Sequence, residues 1–386
     1  MKKFLAAIAA TLLFASLPFA SAFAQHPPAP TIAAKSWLLY DATSGQVIAA
    51  HEPDMRAEPA SLVKIMTAYL TFAAIDDKRL ALDQMVNVSQ NAWKVAADSS
   101  KMFIDPRTPV SINDLLHGLI VQSGNDASVA LAEAVAGTED AFAAQMNSQA
   151  QRMGLSATRF ANSHGLPSPD NYTNARDLAV LAARLINDFP DLYKIYSTRS
   201  FTYNKITQSN RNRLLWLDPS VDGMKTGYTR SAGYNLIASA SRPNGNGDQR
   251  RLISIVLGTS SDQMRAQESQ KLLNWGFLNY DTVKLYAKGQ AIDTPNIWKG
   301  SQSTVKLGFN HDVYITVPKG TAAKLKPVLE RKDPLVAPLA QNAQVGTLKM
   351  TADGKVLAEL PVLALEQVNE AGIFGRAWDA LRLLFK

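Results

Sequence analysis

From position 61 the chain reads Ser61-Leu62-Val63-Lys64-Ile65-Met66-Thr67-Ala68-Tyr69-Leu70, shortly after Pro59. The run is mostly apolar and predicts a largely buried helix over residues 59–75. Side chains three positions apart share a helix face, so Lys64 can reach the Ser61 hydroxyl. The first helical turn also offers free backbone N–H groups and a positive dipole end. This helix start therefore favours a serine nucleophile with a lysine base beside it.

Two further short motifs follow, Ser123-Gly124-Asn125 and Lys225-Thr226-Gly227. The first falls between two apolar runs that predict helices, so we expect its polar side chains on a fixed loop. The second leads into Tyr234–Ala238, a predicted core strand that we expect to pair with Arg251–Leu257. Gly227 would let a substrate approach the strand edge closely.

Two of these motifs have a second copy in the chain. The stretch Ser303-Thr304-Val305-Lys306 repeats the serine–lysine spacing, but its alternating pattern predicts a half-buried strand with the two side chains on opposite faces. The stretch Ser89-Gln90-Asn91 repeats the serine–asparagine spacing inside a polar segment. The order and surroundings of the motifs must therefore decide which copies form the site.

In this order the three motifs resemble the active-site set of the serine penicillin-binding and β-lactamase superfamily, which carries Asp where this chain has Gly124. Five further stretches make the likeness closer. They are Ser99-Ser100-Lys101-Met102-Phe103, Gln122–Ala127, Asn162-Ser163-His164-Gly165-Leu166, Asp222–Thr229 and Arg265-Ala266-Gln267-Glu268-Ser269. The chain is thus similar to low-molecular-mass penicillin-binding proteins of the D-alanyl-D-alanine carboxypeptidase type.

The resemblance implies a set of roles. Ser61 would attack a peptidoglycan stem peptide or a β-lactam, Lys64 would be the base, and Ser123 would relay the proton. The implied substrate-binding residues are Asn125, Lys225, Thr226, Gly227, Tyr228 and Arg265, with the backbone N–H groups of Ser61 and Tyr228 as oxyanion hole. Burial and the Lys225 cation would lower the pKa of Lys64.

Arg265 and His164 have alternative explanations. A surface salt bridge with Glu268 would explain Arg265 nearly as well as carboxylate binding, and His164 is given a structural role. Three other functions stay open: a D,D-endopeptidase, a β-lactamase and a non-catalytic cell-wall binder. No glutamate of the kind that class A β-lactamases use for deacylation occurs between Asn162 and Arg184, which argues for a persistent penicilloyl adduct.

Composition narrows the protein class. The chain has 386 residues, a net charge of +7 and no cysteine, so disulfides cannot stabilise it. The basic, apolar start with Ala22-Phe23-Ala24 predicts a signal peptide over residues 1–24, and residues 25–34 a flexible leader. We expect an exported, periplasmic protein. The scattered positive charges do not favour nucleic acid, and the sequence shows no zinc motif, phosphate loop or cofactor fingerprint.

The pattern along the chain predicts an α+β fold. A hairpin over Trp37–Ala49, a helix-rich lobe and returning strands indicate a catalytic domain over residues 35–280, an antiparallel sheet with a helical lobe. Short alternating segments then predict a small all-β domain, a sandwich over residues 281–365, for which a spacer or docking role is favoured. The strand segments are 282–286, 304–307, 313–317, 345–350 and 355–362.

The last segment, residues 366–386, predicts an amphipathic helix. Its apolar residues share one face, and most of its charged residues lie on the other. The helix is too short to span a bilayer and suits one that lies in the membrane interface. Because the family it resembles often ends in such an anchor, we expect peripheral attachment to the outer face of the cytoplasmic membrane. The alternative is a terminal helix docked on the β-domain.

Overall fold

The structure is a computed structural model that describes residues 27–96, 98–244 and 247–384. The expected signal peptide, residues 1–24, lies outside the described residues. The strands of the first part of the chain are β1 (Ser36–Asp41), β2 (Gln46–His51), β3 (Met85–Val86), β4 (Val110–Ser111), β5 (Ser200–Tyr203), β6 (Ile206–Ser209), β7 (Val221–Thr229), β8 (Gly233–Pro243) and β9 (Gln249–Thr259).

Nine helices accompany these strands among the described residues. They are α1 (Lys64–Asp76), α2 (Gln90–Lys94), α3 (Ile112–Ile120), α4 (Asn125–Ala136), α5 (Glu139–Arg152), α6 (Ala175–Asp188), α7 (Pro190–Tyr193), α8 (Leu214–Leu217) and α9 (Asp262–Asn279). The helix predicted over residues 59–75 is confirmed in α1, and the predicted helix-rich lobe is confirmed in α3 to α6. Ser89, in the second serine–asparagine copy, caps the start of α2. This short helix was not predicted, because the segment is polar.

A five-stranded antiparallel sheet in the order β2-β1-β9-β8-β7 divides this part into two layers. Successive side chains of a strand point to opposite faces, so neighbouring residues enter different cores. Leu38, Ile255 and Ile237 lie side by side across three strands and face the helical lobe. The adjacent row packs on the other face, which α9 covers. Both faces are therefore buried, as the predicted α+β architecture requires.

Residues 27–34 of the expected leader belong to the described part of the chain, and two of them contact the folded domain. Ile32 is buried in the core on the α9 side of the sheet, and the Thr31 carbonyl accepts a hydrogen bond from Lys271 Nζ at 2.9 Å. The described residues of 25–34 are thus not a free tail. An apolar side chain in a mostly polar and proline-rich stretch was too weak a signal to predict this contact.

A second, all-β part follows, as predicted. Its strands are β10 (Tyr280–Tyr286), β11 (Ala291–Asp293), β12 (Ile297–Trp298), β13 (Leu307–Gly308), β14 (Val313–Pro318), β15 (Lys326–Arg331), β16 (Leu335–Val336), β17 (Gln344–Ala352) and β18 (Lys355–Ala364). A five-stranded sheet, β11-β13-β18-β17-β15, and two small ladders, β10-β14 and β12-β16, surround their own apolar core. The strand predicted over 304–307 is wrong in extent, since β13 begins only at Leu307.

A buried polar cluster joins the two parts. The Asp41 carboxylate at the end of β1 accepts a hydrogen bond from Arg250 Nε at 2.8 Å. The same oxygen accepts from Thr282 Oγ1 at 2.5 Å and from Thr316 Oγ1 at 2.9 Å, both in the all-β part. Arg250 Nη1 also donates to the Tyr280 carbonyl at 2.5 Å. One carboxylate therefore links the first five-stranded sheet to the first strands of the second part.

The last helix of the described residues is α10 (Ile373–Leu383). Its apolar side chains are exposed, Phe374 by 92% and Trp378 by 60%. The helix begins later than residue 366, because Val368 is buried in the all-β core and pairs with Leu339. Phe385 and Lys386, part of the expected helix, lie outside the described residues. No helix within 27–96, 98–244 and 247–384 has the length and apolar character to cross a bilayer.

Candidate active site

The first motif lies where a 3₁₀ turn, Ala60–Val63, runs into α1. Residues three apart eclipse each other in a 3₁₀ turn, which places Lys64 beside Ser61. Lys64 Nζ lies 3.1 Å from Ser61 Oγ. The predicted shared helix face is confirmed, and the tighter first turn strengthens it.

Two carbonyl groups fix the Lys64 amine. Its Nζ donates to Asn125 Oδ1 at 2.6 Å and to the backbone carbonyl of His164 at 2.5 Å. Both partners can only accept. A neutral amine has two protons and one lone pair, so the two carbonyls take the protons and leave the lone pair facing Ser61. This geometry suits Lys64 as a base for the serine hydroxyl.

Burial makes that neutral form accessible. Lys64 is 1% exposed, and desolvation lowers its pKa to about 7, with the Arg211 cation adding to the shift and Asp126 opposing it. The cation that lowers the pKa of Lys64 is Arg211 rather than the expected Lys225, although Lys64 and Lys225 also repel each other. Burial, followed by the charge of Lys64, holds the pKa of Lys225 itself well below its usual range, which weakens it as a source of charge. Arg211, in a polar loop, was missed.

The second motif occupies the loop between α3 and α4, as predicted. Ser123 has a left-handed backbone (φ 62°), and its Oγ is buried without a hydrogen-bond partner in the described part of the chain. A Cβ at Gly124 would lie 2.8 Å from Asp126 Oδ1 and 3.2 Å from the Met102 nitrogen. A side chain at position 124 would therefore clash with the Asp126 carboxylate, which explains the glycine.

Asp126 itself was missed as a structural element of the site. Its carboxylate accepts backbone N–H bonds from Met102 at 2.9 Å and from Phe103 at 2.8 Å. The Asn125 N–H donates to the Ser100 carbonyl at 2.7 Å. These bonds hold the loop that brings Ser99 and Ser100 to the rim of the cavity.

The third motif lies in β7, at the edge of the sheet. Lys225 and Thr226 are buried at the level of the Ser61 turn. A Cβ at Gly227 would lie 3.0 Å from the Pro59 carbonyl and 3.3 Å from Ala60 Cβ. The close approach that requires glycine is therefore made by the Ser61 segment of the chain itself, where we had expected a substrate.

Arg265 reaches the site from α9. It is buried, its Nη1 donates to the Gly227 carbonyl at 3.3 Å, and its Nη2 pairs with Asp262. Glu268 instead binds Lys271 at 2.7 Å. The alternative explanation of Arg265 by a surface salt bridge with Glu268 is therefore wrong.

These elements enclose a cavity of about 740 Å³, within the range of small-molecule sites. Its lining includes Ser61, Ser123, Asn125, His164, Arg211, Arg213, Thr226, Gly227, Tyr228, Tyr234 and Arg265. The rings of Tyr228 and Tyr234 lie against each other at a tilt of 32°, with centroids 4.3 Å apart, and form an aromatic wall. The described residues contain no group of three or more His, Cys, Asp or Glu arranged to hold a metal ion.

Comparison with known proteins agrees with this geometry. The D-alanyl-D-alanine carboxypeptidase (peptidase S11) family model matches residues 21–261, and the C-terminal domain of penicillin-binding protein 5 matches residues 280–370. The chain is 42% identical over 385 residues to the D-alanyl-D-alanine carboxypeptidase DacC of Escherichia coli (strain K12), covering 98% of this chain and 95% of that protein.

Solved structures show the same likeness. Penicillin-binding protein 5 from Haemophilus influenzae superposes with a TM-score of 0.85 at 43% identity, over 89% of this chain and 100% of that one. Penicillin-binding protein D2 from Listeria monocytogenes in its cefotaxime-bound form gives 0.59 at 28% identity, over 65% and 100%. On this sequence and structural evidence the chain belongs to the D-alanyl-D-alanine carboxypeptidase family, peptidase S11.

Proposed function

We propose that Ser61 of this carboxypeptidase attacks the carbonyl carbon of the penultimate D-alanine in a peptidoglycan pentapeptide. The observation that supports it most directly is the Lys64 amine, held by Asn125 and His164 with its free side toward Ser61 Oγ. Lys64 takes the serine proton as the new C–O bond forms. A base with a pKa near 7 is suited to this step at neutral pH.

The remaining steps use groups around the same cavity. Ser123, whose Oγ has no partner in the described part of the chain, passes the proton to the leaving D-alanine nitrogen as the C–N bond breaks. Water then hydrolyses the Ser61 ester. The backbone N–H groups of Ser61 and Tyr228 stabilise the oxyanion, a contribution of about 3–4 kcal/mol for each such donor.

The terminal carboxylate of the substrate is assigned to the cationic side of the cavity. Arg265 and Thr226 line the cavity there, and Arg265 Nη1 donates to the Gly227 carbonyl of the third motif. Lys225, which the resemblance also implies for this role, is buried beside Thr226 and is not among the lining residues. A guanidinium can bind a carboxylate through two parallel hydrogen bonds.

β-Lactams acylate the same serine in this proposal, as the cefotaxime-bound Listeria relative suggests. Two carboxylates, Asp98 and Asp262, line the described cavity, and Asp262 is paired with Arg265. Neither carboxylate forms a hydrogen bond or ion pair with Ser61 or Lys64 in the described part of the chain. We therefore expect slow deacylation and a persistent penicilloyl adduct rather than β-lactamase activity.

We also propose domain limits and a location. The catalytic domain comprises residues 35–280. The all-β domain comprises residues 281–365 together with the strand-like segment up to 371. Helix α10 lies on a membrane surface. The exposed Phe374 and Trp378, with Arg382 in the last turn, support interfacial binding. The protein would then work in the periplasm at the outer face of the cytoplasmic membrane, on cell-wall peptides.

A mass measurement tests the nucleophile. Intact protein mixed with a penicillin should gain one adduct mass, and Ser61→Ala should gain none. Ser303→Ala, in the second copy of the serine–lysine spacing, is the matched control and should label fully. Labelling that persists in Ser61→Ala would refute the assignment. D-Alanine release from a pentapeptide, run beside a cross-linked dimer, separates carboxypeptidase from endopeptidase activity.

A further inference from the structure

The peptide carbonyl that orients Lys64 belongs to a tightly held segment, Ser163-His164. The Ser163 carbonyl accepts two hydroxyl groups, Thr67 Oγ1 at 2.5 Å and Ser128 Oγ at 2.7 Å. The next carbonyl, that of His164, accepts Lys64 Nζ at 2.5 Å. The position of the base therefore depends on how this segment is fixed on its other side.

Glu139 fixes that other side. Its Oε1 accepts both the Ser163 N–H at 3.0 Å and the Ser163 Oγ–H at 2.6 Å. Glu139 is the first residue of α5, whose start is capped by the Thr138 hydroxyl, so its backbone is anchored. Hydrogen bonds to a charged acceptor are about twice as strong as neutral ones. Glu139 is the charged group among the side chains that hold Ser163.

We propose that Glu139 is a positioning residue for the base of the reaction, acting through Ser163 and the His164 carbonyl on Lys64. The inference rests on the proposed role of Lys64. It explains why a carboxylate that makes no contact with the nucleophile sits behind the catalytic lysine. Without it the His164 carbonyl would be free to turn, and the Lys64 lone pair would lose its direction toward Ser61.

The alternative use of Glu139, an ion pair with the His164 ring, is weak. His164 Nε2 lies 3.5 Å from Glu139 Oε1. Burial lowers the pKa of His164 to about 4, against the opposing pull of Glu139. The ring is thus neutral at pH 7, and its Nδ1 accepts the Leu166 N–H at 3.1 Å. The shorter, charge-assisted bonds of Glu139 are those to Ser163.

The test is the acylation kinetics of full-length variants with a fluorescent penicillin. Glu139→Ala removes the acceptor and should slow acylation at saturating penicillin by about 10–100-fold, the range for a misplaced catalytic group. The dissociation constant of the non-covalent complex should stay unchanged. Glu139→Gln retains an acceptor oxygen and should recover to within about threefold of the unchanged protein. Asp140→Asn is the matched control, because it removes a charge from the same helix start on an exposed side chain and should acylate normally.

Active-site titration separates positioning from folding. A positioning role predicts a full titre of labelled sites with a lower rate per site. A reduced titre with an unchanged rate per site would mean a structural role and overturn the proposal, as would a wild-type rate in Glu139→Ala. If Glu139→Ala does not fold, Ser163→Ala removes one of the two bonds and should slow acylation about 3–10-fold, whereas an unchanged rate overturns the proposal.

The pH profile adds a second readout. Arg211 and Asp126 act on Lys64 by charge, and Lys225 is a neighbouring lysine whose own pKa lies well below its usual range. Glu139 and the neutral His164 lie behind the carbonyl. In Glu139→Ala, loss of the carboxylate charge and of a fixed acceptor disfavours the ammonium form of Lys64. The acid limb of the acylation rate should therefore move to lower pH, and the plateau of the rate should fall. A limb that moves to higher pH contradicts the proposal. Failure of the unchanged protein to label at Ser61 would instead refute the proposed function itself.

Discussion

Asn125 Oδ1 lies 2.6 Å from Lys64 Nζ, although the two residues are 61 positions apart in the chain. The contact joins the second motif to the first and takes one of the two protons of the neutral amine. Asn125→Ala should therefore slow Ser61 acylation by about 100-fold, because the lone pair of Lys64 is no longer directed at the serine. Stopped-flow acylation with a fluorescent penicillin measures this rate.

The chain provides a matched control for Asn125. Asn91 occupies the same place in the second serine–asparagine copy and makes an exposed hydrogen bond with Glu133. Asn91→Ala should acylate at the rate of the unchanged protein. An equal loss of acylation rate in Asn91→Ala and Asn125→Ala would show that the effect of the Asn125 substitution is not specific to the site.

The lowered pKa of Lys64, about 7, predicts the pH dependence of acylation. The base must be neutral, so the rate should rise as the pH increases through about 7 and level off above it. An acid limb centred near the ordinary lysine value of about 10.4 would contradict the assignment of Lys64 as base. Arg211→Gln removes a cation that lowers this pKa, so its acid limb should move to higher pH.

Arg265 predicts selectivity for a free carboxylate. A hydrogen bond to a charged group contributes about 1.5–3 kcal/mol, which corresponds to roughly 10–100-fold in kcat/KM. Arg265→Ala should lose that factor on a peptide ending in D-alanine carboxylate and much less on the matching C-terminal amide. Equal losses on both peptides would mean that Arg265 stabilises β7 through the Gly227 carbonyl and does not bind the substrate.

Local pattern did not predict the strand that carries the third motif, because the strand predicted after Gly227 is β8 and the motif itself lies in the edge strand β7. Local pattern was enough for the other two places. The apolar run after Ser61 predicted the helix, and the two apolar runs around Ser123 predicted the loop. Each of these is set by residues that are neighbours in the chain. The all-β part was predicted in the same way, from alternation within its longer strands.

Contacts between distant segments were not predictable from such patterns. His164 meets Lys64 across 100 positions and through a backbone carbonyl, a group that every residue has. The positive charge of Arg211 lowers the pKa of the buried Lys64. In the sequence, Arg211 is recognisable only as a cation in a polar loop. Glu139 begins an ordinary capped helix. Only the fold shows that these groups converge on one amine.

The buried pair of Asp41 and Arg250 predicts a strong effect on stability. Asp41→Ala leaves Arg250, Thr282 and Thr316 without their shared acceptor between the two parts of the chain. Removal of one partner of a buried ion pair costs about 3–5 kcal/mol. Urea unfolding should show this loss, while Asp105→Ala, which breaks an exposed pair with Arg107, should leave the midpoint almost unchanged. A small loss for Asp41→Ala would mean that the cluster does not hold the two parts together.

The exposed apolar face of α10 predicts binding to a lipid surface. Phe374 and Trp378 are largely exposed, and no helix in the described part of the chain can span a bilayer. The double variant Phe374→Ser, Trp378→Ser should therefore lose flotation with anionic vesicles, and deletion of residues 372–386 should move the protein from the membrane to the soluble fraction with acylation of Ser61 intact. Val356→Ser, at an exposed apolar side chain of β18, is the control and should float normally. Retention of the truncated protein at the membrane would refute the anchor, because the attachment would then lie elsewhere in the chain.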